Sequence, residues 1–328
     1  MAKRRFSTYS DCFEYATTHQ PTHATATTRE WRIRPNRYLC YDLNTMIYSI
    51  GSSVEEMRIL PDDSIVYLTT NPNGCILYDG PSLIDGKRII VVLTGLTDDS
   101  ANAKTGKMLQ TWILRADCKP TTARTNGSDV SVCGDCPHRR GSCYVNLGQG
   151  PRAVYDCWSA GRGYDYYDPE VHDAHIKDRM LRLGSYGDPA AVPIEVFEPI
   201  LAAVNSHTGY THQWEKTIGL AYRDVCMASV DSIEQADLAV SHGWRYFFAR
   251  PPGHVKRKGE VNCPASIEAG QKTQCHDCTL CFGSGDGPGK GSRKTPSVFI
   301  AIHGNRVHKA IYYNRTRPAL ADTFTHLA

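Results

Sequence analysis

The sequence predicts an α/β protein, a parallel sheet of the (β/α) TIM-barrel type carrying cysteine-rich metal-binding insertions. Three observations lead to that expectation. From Leu181 onward, short apolar runs alternate with stretches of helical periodicity, as parallel strands joined by crossovers require. The runs end at Gly, Asp or Ser, residues that turn a strand into the helix that follows. A length of 328 residues supports one sizeable core, and 41% apolar with 22% charged side chains is the balance of a globular chain, not of a disordered one.

Residues 1–45 are polar, with Thr and His repeated between Thr17 and Thr25, and are expected to form an N-terminal arm. A single barrel domain is expected over 46–328. It opens with β-rich segments at Ser64–Leu68, Cys75–Tyr78 and Arg88–Leu93, with Asn71-Pro72-Asn73-Gly74 as a turn, so a hairpin is expected to begin the main sheet. Residues 118–157 read as a loop-like insertion rich in Cys, Gly and Arg. Met180–Gly184 is then a strand, Ile194–Val204 has helical period, and Val225–Val230 is a strand ending at Asp231. Ser232–Ser241 reads as a helix capped by Ser232, with Gln235 three positions on as its capping-box partner. Tyr246–Ala249 and Ser297–Ile302 are the later strands.

No stretch reaches the 18 apolar residues of a membrane span, so no membrane partner is expected. The basic start, Met1 to Phe6, runs into polar residues and not an apolar region, which argues against a secretory signal and for the cytoplasm, the host's if the chain is phage-encoded. In that compartment thirteen cysteines point to metal ligation before disulfides. A net charge of +3 does not demand nucleic acid, yet Lys3-Arg4-Arg5, His138-Arg139-Arg140, Lys256-Arg257-Lys258 and Arg293-Lys294 can each meet phosphates or simply be solvated.

Two cysteine sets stand out. In the segment 263–303, Cys275, Cys278 and Cys281 place three thiolates on one tight loop, which suits tetrahedral Zn²⁺. His303 supplies the fourth ligand from the end of a strand, with Cys263 as its competitor and His276 as a weaker one. In the earlier insertion, Cys133, Cys136 and Cys143 form a second set, completed by Cys118 or Cys157, and zinc and an iron–sulfur cluster both fit Cys₄ ligation.

In a parallel barrel, catalytic groups sit at the carboxyl ends of strands, where Asp188 and Asp231 are expected. Two converging carboxylates can act as nucleophile and general acid/base; each also suits a capping role. Tyr210, Gln213 and Trp214, with Ser185 at the end of the preceding strand, can grip a flat base by stacking and amide hydrogen bonds, or belong to the core. Asp98 and Asp99 lie in a Gly-containing loop that lacks the P-loop order, and Gly283–Gly291 lacks dinucleotide-fingerprint spacing and reads as a linker.

The carboxyl-terminal third resembles the tRNA-guanine transglycosylase superfamily through Cys275, Cys278, Cys281 and then His303 in Ile302-His303-Gly304-Asn305. The resemblance implies a (β/α)₈ barrel with a structural zinc, an aspartyl nucleophile, a second acid/base aspartate and exchange of guanine for a 7-deazaguanine. The basic arms and length look more like the phage and bacterial 7-deazaguanine DNA transglycosylases, so the implied partners are nucleic acid, DNA favoured over tRNA, and a 7-deazaguanine base. Asp188 and Asp231 take the two carboxylate roles in that scheme. A rival is a radical-SAM-like enzyme with the cluster on Cys133, Cys136 and Cys143, although the spacing is Cys-x2-Cys-x6-Cys and not Cys-x3-Cys-x2-Cys. A third reading is a non-catalytic, zinc-stabilised nucleic-acid-binding protein in which both aspartates are dispensable.

Overall fold

A computed structural model describes residues 73–100, 102–139, 143–159, 164–250, 255–285 and 295–302, together with residue 16 and the backbone of six strands in the first 72 residues. The chain divides into two units, Met1–Asn73 with Cys157–Asp165, and Gly74–Asp156 with Tyr166–Ala328.

The first unit holds an antiparallel meander in chain order: β1 (His23–Ala24), β2 (Thr28–Arg34), β3 (Arg37–Asp42), β4 (Ile47–Gly51), β5 (Glu55–Ile59) and β6 (Ile65–Thr69). Trp31 and Ile33 alternate with Glu30, Arg32 and Arg34 along β2, a strand period that the polar composition of the segment hides. Residues expected to form an arm therefore supply β1, β2 and β3, and the unit boundary falls at Asn73, not at residue 45.

The second unit begins with β7 (Gly74–Pro81), β8 (Arg88–Thr94) and β9 (Leu109–Arg115), paired antiparallel in sequence order; the strands flanking the expected Asn71–Gly74 turn, β6 and β7, belong to different sheets, and the hairpin that opens this sheet is β7–β8. Ile89 to Leu93 in β8 are all fully buried, the near-continuous apolar run of a strand covered on both faces. From β9 the pairing turns parallel. β11 (Met180–Tyr186) lies beside β9, and β12 (Ser206–Thr208) beside β11; the short β10 (Asp165–Tyr166) completes the order β10-β7-β8-β9-β11-β12.

A second, wholly parallel sheet has the order β13-β14-β15-β17-β16, from β13 (Tyr210–Thr211), β14 (Met227–Val230), β15 (Tyr246–Arg250), β17 (Ser297–Ala301) and β16 (Glu260–Asn262). Only Gly209 separates β12 from β13. A Cβ there would stand 2.7 Å from Cys226 Sγ and 3.0 Å from Val225 O, so the chain can pass between the sheets here only without a side chain. The α/β class with parallel sheets is thus present, as two open sheets among the described residues.

Crossover helices follow the strands. Helix Ile233–Ser241 after β14 is capped as expected: Ser232 Oγ accepts from Gln235 N at 3.1 Å, and Gln235 Oε1 accepts from Asp231 N at 2.8 Å. Ile194–Val204 is not one helix but a 3₁₀ turn, Ile194–Val196, followed by helix Glu198–Ala203. Pro199 lacks the N–H that a helix interior needs and fits only a first turn, so the helix restarts there. The 118–157 segment is also more ordered than a loop, with helices Pro120–Asn126, Val130–Cys133 and Gly150–Ser159. No helix is long and apolar enough to cross a membrane among the described residues.

Candidate metal-binding cavity

Five parallel strands, β11, β13, β14, β15 and β17, point their carboxyl ends at one cavity of about 220 Å³. Its wall takes Arg182 and Gly184 to Asp188 from the end of β11, Tyr210 and His212 from β13, and Ser229 to Asp231 from β14. Phe247 and Ala249 of β15 and Ile300 to Ile302 of β17 complete the apolar side. This is where open parallel sheets and barrels alike present their chemistry.

The end of β11 is shaped by two glycines with left-handed backbone. At Gly184 (φ +63°) a Cβ would lie 2.6 Å from Gly187 O, and at Gly187 (φ +87°) one would lie 2.6 Å from Ile113 Cβ. Neither position accepts a side chain without displacing backbone or core.

Cys133, the last residue of helix Val130–Cys133, and Cys136, His138 and Cys143 from the loop that follows line the same cavity. That loop is held from below. Arg139 Nη2 donates to Asp129 Oδ1 at 2.6 Å and to Gly127 O at 2.7 Å, and its Nη1 donates to Gly134 O at 2.8 Å. Arg139 is therefore a staple, not one of a run of phosphate-facing cations. Arg257, from another basic run, pairs with Asp237. Burial, with the neighbouring Cys136 and Cys143, pushes the Cys133 thiol up, and burial also raises Cys143. No disulfide joins the described cysteines.

Asp188 and Asp231 both line the cavity, but their surroundings differ. Asp188 is buried; its Oδ1 accepts from Ala190 N at 3.0 Å and its Oδ2 from His212 N at 2.8 Å. Burial raises its pKa against those hydrogen bonds. It caps the 3₁₀ turn Pro189–Ala191 and anchors the residue after β13, so both its oxygens are already engaged with backbone. Asp231 instead receives two imidazoles, His138 Nε2 on Oδ1 at 3.1 Å and His212 Nε2 on Oδ2 at 3.5 Å. Burial would raise the Asp231 carboxyl, yet the two histidines outweigh it and hold it below the usual carboxylate range. For His212, burial would lower the pKa; the Cys136 thiol, 4.0 Å away, and Asp231 reverse this and raise it.

Among the described residues, His138, His212 and Asp231 form the group whose ligand atoms all lie within 4.8 Å of one another. Sequence reasoning missed both histidines. The available signals were His138 two positions after Cys136, and His212 at a strand end one crossover before Asp231.

Of the residues expected to grip a base, Ser185 and Tyr210 line the cavity and Gln213 and Trp214 do not. Trp214 is 2% exposed and packs against Trp244, Val230, Ala236 and Phe248, with its Nε1 donating to Ser229 O at 3.1 Å. It belongs to the core beneath helix Ile233–Ser241. Gln213 is fully buried under the first cysteine loop, where its Nε2 reaches Cys133 O at 3.5 Å. Both residues follow the end of β13, where the chain dives back under the sheet. Asp98 and Asp99 are exposed and away from the cavity; Asp99 pairs with Arg179 and Lys107.

The second cysteine set surrounds a smaller void of about 30 Å³ lined by Cys263, Cys275, Cys278 and Cys281. The segment is fastened to the 94–108 loop by Cys275 N to Lys104 O at 2.8 Å and His276 N to Thr105 O at 3.1 Å, which brings Lys104 to both cavities. Burial raises Cys275, Cys278 and Cys281, the last to about 12. Tyr210 lines both cavities, its ring tilted at 52° against Phe247 with centroids 4.6 Å apart. Cys263, the expected competitor of His303, lines the same void; His303 lies outside the described residues, and His276 is paired with Asp277. Cys118 lies against Ser128 Oγ and does not line the cavity with Cys133, Cys136 and Cys143; Cys157 belongs to the first unit.

Comparison of the chain with protein-family models, with curated proteins and with solved structures finds no match.

Proposed function

We propose that the protein is a metalloenzyme of the radical-SAM-like kind, with an iron–sulfur cluster on Cys133, Cys136 and Cys143 and a structural zinc on Cys263, Cys275, Cys278 and Cys281. The observation that carries this reading is that all three cysteines of the first set open into the cavity at the carboxyl ends of the parallel strands. Three thiols leave one iron of a cluster without a protein ligand, and a cluster so held supplies single electrons and a coordination position for a cosubstrate. Curling of the two sheets into a barrel belongs to the same reading.

The chain's own groups then have definite tasks. The bare backbone at Gly184 and Gly187 lets a cosubstrate lie close to the end of β11. Arg182, whose Nη2 donates to Tyr144 OH at 2.7 Å, and Lys104 supply positive charge to an anionic substituent. Phe247 and Tyr210 offer an aromatic wall, and the apolar ends of β15 and β17 exclude water. The second set lines one small void, and four thiols are the donor chemistry of structural zinc; the sulfurs do not form a group within 4.8 Å of one another, so an ion would have to draw them together.

Anaerobic purification with iron and sulfide reconstitution tests the proposal. A brown protein with about four irons, lost in Cys133→Ala, Cys136→Ala and Cys143→Ala, is expected; a colourless, iron-free protein after reconstitution refutes it.

Exchange of guanine for a 7-deazaguanine in DNA or tRNA is a second reading, favoured by Asp231 and Tyr210 facing one cavity. Its two-aspartate scheme is weakened because Asp188 is committed to backbone N–H groups and Trp214 to the core. Incorporation of a labelled deazaguanine into either nucleic acid, abolished by Asp231→Asn, would establish it over the first.

A further inference from the structure

We propose that His138, His212 and Asp231 form a mononuclear site for a divalent transition-metal ion, built from none of the cysteine thiols, with its open positions turned into the cavity that the first cysteine set also lines. The inference goes beyond the reading above and uses none of its thiols.

The argument begins with the donors. Two neutral imidazoles and one carboxylate are the ligand types of borderline and harder divalent ions such as Fe²⁺, Mn²⁺, Co²⁺ and Zn²⁺, and two histidines with one carboxylate on a single face leave the remaining positions for substrate. Here each Nε2 faces a different oxygen of Asp231, at 3.1 and 3.5 Å, and the three ligand atoms lie within 4.8 Å of one another. An ion between them needs only small side-chain rotations to reach bonds of about 2.0–2.2 Å. The side chains are 14–19% exposed, and all three residues line the cavity, so the ion would be reachable from inside it.

Placement supports the same conclusion. His212 and Asp231 follow the ends of adjacent parallel strands, β13 and β14, which pair Tyr210 with Met227 and Thr211 with Ala228. Their backbones are fixed from behind, His212 N by Asp188 Oδ2 at 2.8 Å and Asp231 N by Gln235 Oε1 at 2.8 Å. His138 arrives on the loop that Arg139 staples. Ligands held on rigid elements by a supporting shell are what a preorganised site requires. Asp188 thereby becomes a positioning residue. The Cys136 thiol lies 4.0 Å from His212 Nε2 but outside the set of three.

Mn²⁺ is the discriminating probe, because it takes nitrogen and oxygen ligands and has little affinity for thiolates. The full chain, stripped with a chelator, is titrated with Mn²⁺, and the free ion is followed by electron paramagnetic resonance. One saturable site is expected in the wild type. His212→Ala, Asp231→Ala and the loop variant His138→Ala, each with wild-type far-ultraviolet dichroism, are expected to lose at least about tenfold in affinity, the lower end of what even supporting residues cost a metal site. The triple variant Cys133→Ala/Cys136→Ala/Cys143→Ala and the double variant Cys275→Ser/Cys278→Ser are expected to keep the Mn²⁺ site, so failure of the cluster reading and failure of this one are read separately. Absence of saturable binding in the wild type, or equal affinity in the three ligand variants, overturns the proposal.

Discussion

Replacing Asp188 separates a positioning role from a catalytic one. Its carboxylate accepts from His212 N at 2.8 Å and Ala190 N at 3.0 Å while 7% exposed. Hydrogen bonds to charged groups contribute about 1.5–3 kcal/mol each, and a buried donor left without a partner costs a similar amount. Asp188→Ala removes two such bonds and strands two buried N–H groups, for an expected loss of about 3–5 kcal/mol. Asp188→Asn keeps one accepting oxygen but turns an NH₂ group toward the other N–H, for about 1.5–3 kcal/mol. Urea unfolding of the full chain followed by far-ultraviolet dichroism measures both. Because the carboxamide offers one acceptor where the carboxylate offered two, His212 is held less firmly, and Mn²⁺ affinity is expected to fall about tenfold or more in the Asn variant as well. An Asn variant within about 0.5 kcal/mol of wild type, with Mn²⁺ binding unchanged, would refute the positioning role and return Asp188 to the chemistry.

Two further outcomes test the frame around the cavity. Glu260 is buried in a cluster with Arg250, Tyr246 OH and Arg257 N, and the Arg250 guanidinium also lies 4.2 Å over the Phe248 ring. Burial alone would lift the Glu260 carboxyl, but these hydrogen bonds hold it below its ordinary range. Its contribution is therefore intact above the unfolded carboxylate value of about pH 4.3 and is lost as pH falls through the depressed folded value. Glu260→Ala leaves a buried guanidinium unpaired and is expected to cost about 3–5 kcal/mol at pH 7, with a flatter acid limb in pH-dependent unfolding; a wild-type acid limb would contradict this. Trp214→Phe, which loses the bond to Ser229 O and indole volume in the core, is expected to cost about 1–3 kcal/mol and to leave Mn²⁺ affinity unchanged; a drop in affinity at full stability would place the indole in the site.

Much of the second unit was legible because its strands announce themselves locally. Arg88–Leu93, Met180–Gly184, Tyr246–Ala249 and Ser297–Ile302 are apolar runs between turn residues, and Ser232 with Gln235 is a cap written into four consecutive positions. β2 and β3 escaped because charged residues alternate with their apolar ones, so mean polarity pointed to an arm while the period of two pointed to strands. The helices between residues 118 and 159 escaped because cysteine, glycine and arginine density reads as loop, whereas tertiary ties such as Arg139 to Asp129 hold the segment in order.

By itself the sequence determined the α/β class, the clustering of the cysteines in two sets and the placing of Asp188 and Asp231 at strand ends, since cysteine spacing and strand punctuation are local properties of the chain. Only the tertiary structure decided which of those groups share a cavity. It joined His138 and His212 to Asp231, turned Asp188 toward two backbone N–H groups, set Cys263 beside Cys275, Cys278 and Cys281, and sent Gln213 and Trp214 into the interior. The physical reason is that partners 74 and 93 positions apart along the chain, His138 with His212 and with Asp231, meet only through the order of strands in the sheet and the path of one stapled loop, and neither leaves a periodic trace in the residues concerned.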